Sequence, residues 1–132
     1  MSLRAFVFSK ALRFAIPRTM DIGEKRAKTD ALAARYQVTK AVSFESAVIG
    51  GVHAEWARKP GADNSTVLIY LHGGAYCYNS INSYRAFSGG IALASGIPVL
   101  TIEYRLAPEH PYPAALEDVL AVYRELLSQG YG

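Results

Sequence analysis

Two short runs of apolar residues restrict this chain to few folds. Thr66–His72 (TVLIYLH) and Pro98–Tyr104 (PVLTIEY) are rich in β-formers and lack the strict polar alternation of a half-exposed strand. Strands of that kind are covered on both faces, as in a parallel sheet flanked by helices. Between them, Tyr84–Ser95 reads as a helix. After Pro113, which suits a first helical turn, Leu116, Val119, Leu120, Tyr123 and Leu127 make one apolar helical face. The order β-α-β-α defines an α/β protein.

Upstream the hydrophobic period changes. Val42, Phe44, Ser46 and Val48 suggest a strand, Gly50-Gly51 a turn and Val52–Arg58 a second strand, together a hairpin. Lys59–Ser65 (KPGADNS) is turn chemistry. Asp21 followed by Glu24 resembles a capping box, and Ile22, Leu32, Ala33 and Tyr36 recur at helical spacing. Residues 1–37 therefore read as two helices broken at Pro17, appended to a sheet-forming segment over 38–132.

Composition narrows the function classes. With 132 residues, 51% hydrophobic and 19% charged, the chain is one globular domain or part of one. Cys77 is the single cysteine, so no intramolecular disulfide forms; a reducing compartment, the cytoplasm, is the expected location. No apolar run approaches the roughly 18 residues of a membrane span. Residues 1–40 carry nine Lys/Arg against three Asp/Glu (+6), and residues 41–132 carry five against eight (−3). In the basic arm, Leu3, Val7 and Phe14 fall on one side of a helical wheel and Phe8, Leu12 and Ile16 nearly opposite, which favours packing on protein over lying on a membrane. The tyrosines at 70, 76, 78, 84, 104 and 112 lie in the acidic remainder, so stacking and basic surfaces do not interleave as nucleic-acid binding needs, and an aromatic, apolar pocket explains them better. Three scattered histidines and one cysteine offer no metal constellation, and no cofactor is expected.

The first apolar run ends in "LIYLHGGAYCYNS", Leu68–Ser80. Ligands of open α/β sheets bind beyond the carboxyl ends of the strands, where His72-Gly73-Gly74-Ala75-Tyr76 would lie. Glycines there let the backbone turn sharply and leave N–H groups uncovered, as a developing oxyanion requires. The spacing fits neither G-x-G-x-x-G nor a P-loop. A glycine pair after a strand is by itself most often a plain turn, but a second segment, "EYRLAPEHPYPAALEDV" from Glu103 to Val119, follows the next predicted strand. Together with "GVHAEWARKPGA" on the hairpin and the basic helices, these segments resemble the hormone-sensitive-lipase-like (bacterial family IV) esterases of the α/β-hydrolase superfamily.

The resemblance implies the N-terminal portion of an α/β-hydrolase fold, with 1–37 as cap helices and 38–132 as a partial core. It implies hydrolysis of carboxylic esters, in some members of lactones, so the expected partner is a small-molecule ester or lactone. Matched by position, Gly73, Gly74 and Ala75 form the oxyanion-hole segment, whose third residue in the family is more usually glycine. His72 is then a brace for the loop, helped by Arg105 and Glu109, and not the catalytic histidine.

That chemistry also needs a G-x-S-x-G elbow followed by an acid and a histidine. No serine here, Ser80, Ser83, Ser88 and Ser95 included, has that setting. The chain is thus expected to be an N-terminal half, inactive alone, with an open sheet edge that invites self-association or a complementing fragment. The rival is a non-catalytic α/β module that keeps the scaffold without turnover. Cys77 reads as a small hydrophobe, Glu109 and His110 as a loop-fixing pair, Glu117 and Asp118 as favourable dipole partners at a helix start, and His53 and Trp56 as structural.

Overall fold

A computed structural model of the chain describes residues 20–131. Helix α1 (Ile22–Ala33) precedes a hairpin of β1 (Ser43–Ile49) and β2 (Val52–Arg58). Then come β3 (Leu68–Leu71), α2 (Ile81–Ser95), β4 (Val99–Ile102) and α3 (Ala114–Ser128). The expected helix before Pro17 lies outside the described residues.

The strands form one mixed sheet in the order β1-β2-β4-β3. β1 and β2 pair antiparallel through a two-residue turn, with Ile49 opposite Val52. Gly50 and Gly51 sit at φ +58 and +80, as a tight hairpin turn requires. Gly50 is also pressed on α3: a Cβ there would lie 2.6 Å from the Ala121 carbonyl oxygen. β4 runs antiparallel to β2 and parallel to β3, so its four residues, all buried, are paired on both sides.

Helices cover both faces, giving three layers. On one face Val122 and Leu126 of α3 pack on Ala54, Trp56, Leu100, Ile102 and Tyr104. On the other, Ala92 of α2 packs with Val42, Ala57 and Val99. Each fully buried aliphatic, such as Leu100, Ile102 or Val99, contributes about 1.5–3 kcal/mol of burial.

The sequence expectations depart from the structure in four places. The run Thr66–His72 forms a strand only over Leu68–Leu71, and among the described residues β3 is an edge, with Leu71 46% exposed. Its apolar pattern matches that of β4, but one side of it has no neighbour among the described residues. Helix α2 starts at Ile81, three residues before Tyr84, because Ser80 and Ser83 close a reciprocal capping box. Tyr36 falls beyond α1 and is 70% exposed. The apolar face assigned to α3 is mostly the outer one: Leu116, Leu120, Tyr123 and Leu127 are 38–50% exposed, while Ala114, Asp118, Val122 and Leu126 turn inward. Both sides of this helix are apolar, and periodicity alone cannot choose between them.

Candidate active-site cleft

The carboxyl ends of β3 and β4 lie side by side because the two strands are parallel neighbours, so the segments that follow them meet. His72, the residue after β3, is only 3% exposed. Its ring stacks on Tyr104, with centroids 4.4 Å apart and planes 15° apart, and lies 6.0 Å from Tyr84. The Tyr104 hydroxyl donates to the His72 carbonyl oxygen at 2.5 Å. Burial pushes the Tyr104 phenol up to about 12, so it stays a donor at all ordinary pH. His72 Nδ1 lies 3.1 Å from the Gly73 carbonyl oxygen, which also accepts from Asn79 Nδ2 at 2.8 Å; Nε2 is buried without a hydrogen-bond partner among the described residues.

After His72 the backbone makes a left-handed excursion. Gly74, Ala75 and Tyr76 have φ of +138, +52 and +58, and the amides of Cys77 and Tyr78 both donate to the Gly74 carbonyl oxygen at 3.0 Å. Only glycine fits at 74, since a Cβ would sit 2.2 Å from the Tyr78 carbonyl oxygen. At Ala75 the positive φ supplies a reason for the glycine more usual in the family. The amides of Gly73, Gly74 and Ala75 donate to no acceptor among the described residues. All three residues line a cavity of about 570 Å³, together with Leu71, Tyr76, Tyr104, His110, Tyr112, Leu116 and Val119.

The expected helpers of His72 bond elsewhere. Arg105 ties its own loop to α3: its amide donates to Asp118 Oδ2 at 2.8 Å, Nη2 lies 2.8 Å from Asp118 Oδ1, and Nη2 also reaches Glu117 and the Ala114 carbonyl oxygen. Glu117 and Asp118, read as dipole partners, are thus Arg105's partners. Glu109 pairs with Arg26 of α1 through two bonds of 2.9 Å, which hold its carboxyl at about 2. The same guanidinium donates to the carbonyl oxygens of Cys77 and Ala107, both at 2.8 Å. The Ala107 amide donates to the Tyr76 carbonyl oxygen at 2.8 Å, joining the loops directly.

Two roles escaped the sequence reading: the bond of Tyr104 to the His72 carbonyl oxygen and the pairing of Arg26 with Glu109. Tyr104 carried a usable signal, as an aromatic residue at the end of a buried strand beside a parallel neighbour. Arg26 carried none, lying 83 positions from Glu109. Of the other candidates, His53 Nε2 is 2.8 Å from Ser46 Oγ across the hairpin, and Trp56 is a core residue with the Arg58 guanidinium 4.0 Å from its ring centroid. Cys77 is half-buried and free. Among the described residues no group of three or more His, Cys, Asp or Glu could hold a metal ion, and no helix is long and apolar enough to cross a membrane.

Known proteins are similar to this chain in sequence and fold. A family profile described as the alpha/beta hydrolase fold matches residues 68–131, which hold both site loops. The protein LipR of Mycobacterium tuberculosis is 38% identical over 134 residues, covering 98% of this chain and 44% of that protein. An acetyl-hydrolase of Streptomyces hygroscopicus is 46% identical over 82 residues, 62% of this chain and 27% of its own. A crystal structure of an esterase from the bacterial hormone-sensitive lipase family superposes with a TM-score of 0.84 at 39% identity, covering 91% of this chain and 40% of that one. The chain thus spans less than half the length of the relatives it matches. Its fold is that of part of an α/β hydrolase, and the chain is similar to the hormone-sensitive-lipase esterases.

Proposed function

We propose that this chain supplies the oxyanion-binding wall of a carboxylic-ester hydrolase. Support comes chiefly from the three amides of Gly73, Gly74 and Ala75, which have no acceptor among the described residues and border an apolar cavity at the carboxyl end of β3. An acyl carbonyl oxygen placed about 2.7–3.1 Å from such amides gains hydrogen bonds that strengthen as it takes on negative charge in the tetrahedral intermediate. Glycine and alanine let the oxygen approach because no large side chain stands over the amides. His72 and Tyr104 hold the root of the loop, so the donors are oriented before the substrate arrives. Leu71, Tyr112, Leu116 and Val119 suit the apolar part of a small ester or lactone.

The nucleophile comes from residues other than these 132, since no serine stands in a G-x-S-x-G elbow. The isolated chain accordingly has no serine-esterase turnover, and its exposed α3 stripe and the β3 edge left open among the described residues are covered by a completing segment or by a second copy. The second reading, a non-catalytic α/β module, is favoured by that missing elbow alone. A chimera separates the two. Residues 20–131 replace the corresponding segment of the hormone-sensitive-lipase-family esterase, and hydrolysis of p-nitrophenyl acetate is measured. The expected result is an active esterase; a folded chimera without turnover would support the module.

A further inference from the structure

Helix α1 buries none of its side chains, yet it is fixed to the rest of the molecule. Among its contacts are the hydrogen bonds of two polar residues one helical turn apart, Arg26 and Asp30. Asp30 Oδ1 accepts from Ser80 Oγ at 2.8 Å and from Ser83 Oγ, the two residues of the α2 capping box. Arg26 addresses the two site loops at once, through Cys77 on one and Ala107 and Glu109 on the other.

The place of these contacts gives them their consequence. Cys77 ends the turn that begins at Gly74, because its amide donates to the Gly74 carbonyl oxygen. Within that turn Ala75 and Tyr76 hold a left-handed conformation that residues bearing a Cβ disfavour, so outside restraint is needed. A guanidinium can supply it, since its planar fork fixes several acceptors at set angles; an ammonium is a point charge and cannot. We infer that Arg26 is a positioning residue: by holding the Cys77 and Ala107 carbonyl oxygens together it sets the direction of the Gly73–Ala75 amides. The role in catalysis that this implies rests on the ester-hydrolase reading above, whereas the clamp itself does not.

Amide exchange and chemical shifts of the ¹⁵N-labelled chain test the clamp without any ester. Arg26→Gln is expected to speed exchange at Cys77, Tyr78 and Ala107 by about tenfold or more while leaving Leu100–Ile102 unchanged. The same variant shifts the Gly74 and Ala75 amide resonances. Arg26→Lys, which keeps a charge facing Glu109 but loses the fork, restores only part of the protection. Glu109→Gln, a milder change that serves if Arg26→Gln does not fold, raises exchange at Ala107 by a smaller factor. Unchanged exchange at Ala107 in Glu109→Gln or Arg26→Gln, full restoration by lysine, or a rise shared equally with Leu100–Ile102 would overturn the inference. An inactive chimera with these amides protected would instead sink the hydrolase reading and leave the clamp standing.

Discussion

Gly74 offers the sharpest mutational test of the site loop, because two independent penalties meet there. Its φ of +138 lies in backbone space that is almost closed to residues with a Cβ, at about 1–3 kcal/mol for Gly74→Ala. The new methyl carbon would also stand 2.2 Å from the Tyr78 carbonyl oxygen and 3.0 Å from Asn79 Nδ2. That oxygen belongs to the backbone of the same turn, so the turn itself must open, at about 1–3 kcal/mol by analogy with overpacking. The sum, about 2–6 kcal/mol, is a large share of the 5–15 kcal/mol typical of a domain. Gly90→Ala is the matched control. It lies inside α2 with nothing within 4 Å of the added carbon, so it is expected to gain about 0.5–1 kcal/mol. Urea unfolding followed by circular dichroism reads both. With a slope of about 1–3 kcal/mol per molar, the Gly74→Ala midpoint falls by roughly 1 M or more while that of Gly90→Ala rises slightly. A Gly74→Ala midpoint equal to wild type would refute the left-handed turn from which the site is built.

Two further predictions concern the groups that hold the loops. Tyr104→Phe removes the donor to the His72 carbonyl oxygen and leaves that buried acceptor unpaired. It is expected to cost about 1–3 kcal/mol in urea unfolding, and a loss below about 0.5 kcal/mol would contradict this role. The Glu109 carboxyl is depressed from 4.5 to about 2, first by its hydrogen bonds to Arg26. A depressed folded-state value means that the stabilisation is complete above pH 4.5 and is lost as pH falls through about 2. Ala107 amide protection, corrected for intrinsic exchange, should fall over that window in the wild type and stay flat in Glu109→Gln; equal profiles would reject the linkage.

Much of the fold could be read from local pattern. The continuous run over Val99–Ile102 marks a strand paired on both sides, and Gly50-Gly51 between alternating segments marks the hairpin. The HGGAY loop could be placed at a strand end because the apolar run stops there. What escaped was information that sequence spacing does not hold. Leu116, Leu120, Tyr123 and Leu127 are as helical in period as Val122 and Leu126, so the inward side of α3 is decided by the sheet and not by the helix. The edge position of β3 depends on which strand pairs beside it, while its residues look like those of the central strand. In sequence His72 reads as a brace helped by Arg105 and Glu109, whereas its ring contacts are with Tyr84 and Tyr104. Arg26 sits on a helix that shows no apolar stripe, and its role emerges only when the loops on either side of β4 converge on it.

On the proposed reading the Gly73–Ala75 amides receive the oxyanion. That reading is tested most directly by a crystal structure of the esterase chimera inhibited with a p-nitrophenyl phosphonate, whose phosphoryl oxygen mimics that charge. The expected result is the phosphoryl oxygen within about 2.7–3.1 Å of at least two of these amides. A phosphoryl oxygen turned to solvent, or bound by other donors while the three amides stay vacant, would contradict it.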